Sequence, residues 1–314
     1  MSDGIEASCG AALDAAAPGF TRVVSSPGAS EPDYSSIEVL YFSGDVFPER
    51  SREFAVAALK SENLRWMHTF SAGVDDAFFR TLIERGVRLT TSSGAQAEPI
   101  AQTAILYLLA LSRDLPGWLE DQRNRHWNPR SVRDLQGLRL GVVGLGPIGE
   151  AVARLGAALG MRVTGFRRTP RGDEPWDTLA MAELSGLLPE LDALVVAVPL
   201  TEATRNLMDE AAFARLKPGA LFVNVARGEV VDEDALIGSL RSGRLAGAGL
   251  DVFRQEPLPE ESPLWAMPNV LITPHSSGTS PGNQVRASGI FIENLRAYLR
   301  GEPLRNEVGP EGVR

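Results

Sequence analysis

The chain is 314 residues long, room for two domains or one large one. Its 44% hydrophobic and 23% charged residues are ordinary for a globular protein and argue against wholesale disorder. A formal charge of −9 speaks against non-specific nucleic-acid binding and against anionic membrane surfaces, both of which need a cationic face. The single cysteine, Cys9, excludes an intramolecular disulfide. No run of 18 apolar residues predicts a membrane-spanning helix, and the acidic start lacks the cationic opening of a signal peptide. The expected compartment is the cytoplasm.

Residues 1–36 are rich in Ala, Ser, Gly and Pro; 11–17 suits a helical turn and 21–25 a short strand. The first firm strand is 37–42, followed by a helix over 49–60, a strand over 65–70, a helix over 77–85 closed by Gly86, and a strand over 87–91. Residues 97–114 form a long helix, apolar over most of its surface and therefore expected to be buried. Residues 115–134 read as a connection between domains. From Leu138 a second series begins. Strands are expected at 138–143, 162–166, 193–198, 220–225, 246–251 and 270–272. Helices are expected at 148–159, 177–188, 211–216, 232–242 and 282–301. Strands alternating with helices imply parallel βαβ units. The expected division is 1–113 with 282–314 in one lobe and 114–281 in the other.

Gly144-Leu145-Gly146-Pro147-Ile148-Gly149 matches G-x-G-x-x-G where a strand ends and a helix begins, the context in which that pattern binds a dinucleotide. The first glycine permits the turn, the second admits the pyrophosphate to the backbone, and the third lets the helix approach the strand. A cofactor with a free ribose 2′-hydroxyl calls for an acid at the end of the next strand. That stretch reads Phe166-Arg167-Arg168-Thr169, with no acid before Asp173. Two guanidinium groups suit a 2′-phosphate, so NADP(H) is favoured, with NAD(H) possible.

Three further segments sit at expected strand ends: Arg227 after Asn224-Val225-Ala226, Asp251 followed by Glu256, and His275 in Thr273-Pro274-His275-Ser276-Ser277-Gly278. Together they make a consistent reaction. Arg227 would hold the carboxylate and polarise the carbonyl of a 2-oxo acid. His275 would donate a proton to the carbonyl oxygen as nicotinamide C4 delivers hydride, and Glu256 would orient His275. Asp251 would meet the nicotinamide side. No His, Cys, Asp and Glu set has metal-ligand spacing. His68 precedes a loop and reads first as a structural histidine, with substrate contact left open.

These blocks, in this order from about residue 66 to 295, strongly resemble the D-isomer-specific 2-hydroxyacid dehydrogenase family. The resemblance implies an α/β protein of two Rossmann-like lobes with doubly wound parallel sheets, the cofactor lying in the cleft between them. It implies Arg227, Glu256 and His275 as the catalytic set. It implies cofactor contacts from Gly144 to Gly149, at Arg167, Arg168, Thr169, Val198, Pro199, Thr204, Val225, Ala226 and Asp251, and at Ser277 and Gly278. Substrate would meet Arg227 and the backbone of Ala72, Gly73 and Val74. The arginine pair is similar to that of NADPH-preferring glyoxylate and hydroxypyruvate reductases. Members are usually homodimers joined through the cofactor lobe. The chain departs from the family at Ala101-Gln102-Thr103, where many members read Ala-Glu-His, and before Ile37. Formate or phosphite oxidation on the same fold, and a dinucleotide-sensing corepressor, are the alternatives; relatives that oxidise formate carry Gln where this chain has Glu256, which argues against formate.

Overall fold

In chain order the elements of the computed structural model are α1 (Asp3–Ala16), β1 (Val39–Phe42), α2 (Ser51–Lys60), β2 (Trp66–Thr69), α3 (Ala77–Glu84), β3 (Arg88–Thr91), α4 (Ala97–Ser112), α5 (Leu115–Arg123), β4 (Arg139–Val143), α6 (Pro147–Ala158), β5 (Arg162–Arg167), β6 (Asp177–Ala180), α7 (Leu184–Leu187), β7 (Ala193–Val196), α8 (Glu210–Arg215), β8 (Ala220–Asn224), α9 (Glu233–Arg241), β9 (Leu245–Leu250), β10 (Val270–Ile272) and α10 (Gly282–Leu299). The structure describes residues 1–30, 32–71, 74 and 77–309. The chain divides into two compact units, Met1–Ala95 with the segment from Ser280 onward, and Gln96–Thr279.

The boundary expected at 113/114 thus falls at 95/96, because α4 packs on α6, β8 and β9. The cause lies in β9, where Gly247 and Gly249 face the same way. A Cβ on Gly247 would lie 2.9 Å from Leu111, and one on Gly249 would lie 2.3 Å from the ring of Tyr107. Only bare backbone at both positions lets the helix rest directly on the strand.

In the first unit β1, β2 and β3 form a parallel sheet in chain order, wound one way only; the double winding belongs to the second unit. Central β2 is buried at all four positions. Helix α10 lies in this unit, with Phe291 stacked on Tyr41 (4.4 Å) and Tyr298 on Trp66 (5.4 Å). Helix α1 is longer than the expected turn at 11–17. The Ser2 hydroxyl accepts the amide of Ile5 at 3.1 Å as its N-cap, and Asp3 and Glu6 favour the first turn. Residues 21–25 form no strand, only a bridge between Ser25 and Ser2.

The second unit is a seven-stranded parallel sheet in the order β10-β9-β8-β7-β4-β5-β6. From β4 the chain runs outward through β5 and β6, then returns to the other side of β4 at β7, so the winding reverses between β4 and β7. Strands β7 and β8 are buried at every position, the near-continuous apolar runs of strands covered on both faces. Ala104, Leu108 and Val152 of α4 and α6 cover one face; Phe213, Leu236 and Leu240 of α8 and α9 cover the other. The helix expected over 177–188 is replaced at its start by β6, which pairs with the free edge of β5 from Thr164↔Asp177 to Arg167↔Ala180. An available strand edge outweighs helical periodicity there. The connection expected over 115–134 opens with α5, which carries Pro116 in its first turn.

Candidate active site

The carboxyl ends of six strands fall on one register line. Phe166, Val143, Val196, Asn224, Leu250 and Ile272 are successive cross-strand partners in β5, β4, β7, β8, β9 and β10. The second-unit residues expected to bind or react occupy the loops just beyond that line, the edge where open α/β sheets hold ligands.

The glycine turn sits at the winding reversal. Gly144 has φ +96°, and a Cβ there would lie 2.7 Å from the carbonyl oxygen of Ala197, across the switch point. Gly149 fits α6 against the turn: its Cβ would lie 1.8 Å from the oxygen of Gly144. Gly146, by contrast, opens α6 with nothing within 4 Å of a Cβ and no side chain capping the helix. Two glycines are thus explained by the protein's own packing, and the open one is free to meet a ligand. These residues fit a dinucleotide pyrophosphate, which the backbone N–H groups of Gly146 and Ile148 would hold, Pro147 having none. The Leu145 side chain is buried against Gly165. Val198, Val225 and Ala226 are buried at the same edge and Pro199 is exposed. The Thr204 hydroxyl donates to the oxygen of Pro199 at 2.7 Å and accepts from the amide of Thr201 at 2.7 Å, which folds its loop.

At the end of β5 the two arginines differ. Arg167 is mostly covered and pairs with Glu174 at 3.0 Å, while Arg168 and Thr169 are exposed. Glu174 also accepts the amides of Arg171 (2.9 Å) and Gly172 (2.8 Å). Those amide bonds, that of Arg171 foremost, hold its carboxyl at about 2, aided by Arg167 and against the pull of burial. Glu174 therefore closes the loop and engages Arg167. Of the expected pair, Arg168 is the one turned to solvent. Reading the sequence missed Glu174, whose role depends on the loop folding back onto Arg167.

The candidate reactive groups follow β8, β9 and β10. Asn224, almost fully buried, shapes the first loop. Its Nδ2 donates to the oxygen of Arg227 and its Oδ1 accepts the amide of Ala226, both at 3.0 Å. Arg227 is exposed, with one Nη1 bond to the oxygen of Ala226 at 2.7 Å. Since a guanidinium has five N–H donors, four remain for an anion. A Cβ on Gly228 would lie 1.9 Å from the carbonyl carbon of Phe253, so this loop rests on the backbone that leads to Glu256. Glu256 accepts the amide of Phe253 at 3.0 Å through Oε1 and meets His275 Nδ1 at 2.8 Å through Oε2. A carboxylate only accepts, so Nδ1 carries the proton and Nε2 is turned away from the pair. His275 stays 47% exposed at its side chain, open to a substrate.

Asp251, expected on the nicotinamide side, is also tied into its own chain. Its carboxylate is buried and accepts four bonds from the loop that carries His275: the amides of Ser276 (2.9 Å) and Ser277 (3.0 Å) and the hydroxyls of Thr273 and Ser277. The Ser277 side chain likewise donates to Asp251. Gly278 packs close to Gln96 and Ile100.

In the first unit, Val74 is buried in the core, and Ala72 and Gly73 lie outside the described residues. His68 is fully buried, with Thr90 Oγ1 2.7 Å from Nδ1 and Ser92 Oγ 3.0 Å from Nε2. Ser92 donates to the oxygen of Thr69 at 3.0 Å, and Trp66 Nε1 donates to Thr90 at 2.8 Å. The hydroxyl protons then fix the tautomer: Thr90 donates to Nδ1, and Nε2–H donates to Ser92. Burial pushes the imidazole down to about 3, so it is a neutral structural group. Among the described residues no cluster could hold a metal ion, and no helix is long and apolar enough to cross a membrane.

Residues 105–277 match the family model of the D-isomer specific 2-hydroxyacid dehydrogenase NAD-binding domain. The chain is 36% identical over 258 residues to a glyoxylate reductase of Korarchaeum cryptofilum, covering 80% of this chain and 78% of that one. Among solved structures, a D-isomer specific 2-hydroxyacid dehydrogenase of Xanthobacter autotrophicus Py2, in complex with NADPH and MES, superposes with TM-score 0.77 and 36% identity over 96% of this chain and 94% of that one. The NADPH-dependent glyoxylate/hydroxypyruvate reductase of Sinorhizobium meliloti, with NADP and sulfate, gives TM-score 0.76 and 29% identity over 99% and 97%.

Proposed function

The chain belongs to the D-isomer specific 2-hydroxyacid dehydrogenase family, and we propose that it is an NADPH-preferring reductase of small 2-oxo acids of the glyoxylate and hydroxypyruvate class. The observation that carries this reading is the pair of His275 Nδ1 and Glu256 Oε2 at 2.8 Å, on the same strand-end row as Arg227 and the glycine turn. The reduced dinucleotide supplies the hydride. Arg227 binds the substrate carboxylate through its free N–H groups and polarises the adjacent carbonyl. His275 gives the Nε2 proton to the carbonyl oxygen, and the product is the D-2-hydroxy acid. Glu256 holds the imidazole ring and stabilises its cationic form.

Two arguments support NADPH. The acid that folds back on the end of β5, Glu174, is taken up by Arg167 and two loop amides, and Arg168 there is exposed. The Xanthobacter and Sinorhizobium relatives were solved with NADPH and NADP. We further infer a homodimer through the cofactor-binding unit, which exposes Leu106, Leu109, Trp118, Leu119 and, at 94%, Trp127. Light scattering that returned the mass of one chain would overturn the pairing.

The function is tested by initial rates of NADPH and NADH oxidation with glyoxylate, hydroxypyruvate, pyruvate and phenylpyruvate. The expected outcome is turnover of the two small substrates with NADPH well above NADH, and Arg168→Ala narrowing that preference about tenfold. Preference for NADH would remove the 2′-phosphate argument. Tight dinucleotide binding without turnover of any acid would shift the reading to phosphite-type chemistry or to a sensing protein.

A further inference from the structure

His275 stands in the left-handed region at φ +49°, a conformation that a residue with a side chain adopts only when its surroundings hold it there. Its own amide donates to the oxygen of Asp251 at 2.8 Å. On either side of it the loop is tied to the Asp251 carboxylate, by the hydroxyl of Thr273 before it and the amides of Ser276 and Ser277 after it. Asp251 is therefore the point from which the turn hangs.

The tie continues beyond Asp251. Thr273 spends its only hydroxyl proton on the carboxylate, so it receives the next bond as an acceptor. That bond comes from the hydroxyl of Tyr107, 2.6 Å away, which also lies 3.3 Å from the oxygen of Leu250. Tyr107 is buried on α4, and burial pushes its phenol up to about 12, so it keeps the proton that it donates. The ring reaches this place because Gly249 has no side chain. All members lie within the second unit.

We propose that Tyr107 and Thr273 are positioning residues for the reaction: through Asp251 they hold the left-handed turn that sets His275 against Glu256. Neither touches the imidazole, and both act through the loop backbone. The inference rests on His275 as the proton donor. It adds a residue of α4, far from the catalytic blocks in sequence, to the working parts of the enzyme.

The test removes single hydroxyl groups at nearly constant volume. Thr273→Val is expected to lower kcat about tenfold or more while the dissociation constant for NADPH, read from its fluorescence, stays within about twofold. Thr273→Ser restores the hydroxyl and is expected to recover kcat to within about threefold of the natural enzyme. Tyr107→Phe gives a smaller loss, and the double variant Tyr107→Phe/Thr273→Val is expected to be no worse than Thr273→Val alone, because one chain of bonds is broken in both. His275→Ala run alongside separates the two claims. If it keeps its turnover, the proton-donor reading fails and the proposal with it. If His275→Ala is inactive while Thr273→Val and Tyr107→Phe retain full kcat, the positioning role alone is overturned. A loss of NADPH affinity that parallels the loss of kcat, or a failure of Thr273→Ser to rescue, overturns it as well.

Discussion

His68 and His275 are the same residue type in two different settings. His68 lies in the middle of the first unit's sheet, fully buried, with a hydroxyl on each ring nitrogen. His275 lies past the end of a strand, about half exposed, with a carboxylate on one nitrogen and the other left open. Hydroxyl partners and burial favour the neutral ring and leave it no proton to deliver. A carboxylate partner fixes the ring through one nitrogen, and access to solvent leaves the other open to a substrate. A histidine's chemistry here follows from the partner on its second nitrogen and from what can reach the first.

That contrast can be broken in three ways, of which the first has the largest effect. His275→Ala is expected to lower kcat by about 10²–10⁴-fold with NADPH binding intact. His68→Asn should lose stability while each folded molecule keeps near-normal kcat, measured by active-site titration with NADPH; a large loss of kcat there would give His68 a part in the reaction. Glu256→Gln should follow, with a fall in kcat of about 10–100-fold, since an amide holds the ring but no longer favours its cation. Unchanged kcat in Glu256→Gln would mean that the 2.8 Å contact is only structural.

The smallest effect concerns acid stability. His68 titrates near 6.5 when unfolded and at about 3 when folded. Below 6.5 the unfolded chain therefore binds a proton that the folded chain refuses. The stabilisation is complete above 6.5 and is lost as the pH falls toward 3, by roughly 1.4 kcal/mol for each pH unit. Urea unfolding at pH 7.5 and 5.5 should show this slope in the natural protein and a shallower one in His68→Asn. Identical pH dependence in the two would remove His68 as its source.

Much of the candidate site is legible in the sequence. The glycine turn, Arg227, Glu256 and His275 each sit in a short block beside an apolar run, and parallel strands bring such blocks to one edge whatever the loops between them do. The parts that escaped reading are those completed from a distance. Glu174 looks like one loop acid among several until the chain folds it under Arg167. Tyr107 reads as one more apolar residue of a buried helix, and its partner Thr273 is 166 positions away. Asp251 ends a strand and so suggests a cofactor contact; that its carboxylate also ties the His275 loop is not legible from its neighbours. The helix expected at 177–188 failed for the same reason, since a strand edge elsewhere in the chain claimed its first residues.

Local pattern thus specifies the α/β alternation, the glycine turn and the candidate reacting groups, because apolar period, glycine freedom and side-chain chemistry act over a few neighbouring residues. Packing specifies which residues serve those groups and which merely resemble them. Bare glycines on β9 admit α4 and its tyrosine, Asp251 turns inward to hold a strained loop, and hydroxyls close around His68. Burial and hydrogen-bond partners come from segments far apart in the chain, and those two quantities set whether a polar side chain reacts, positions or only supports.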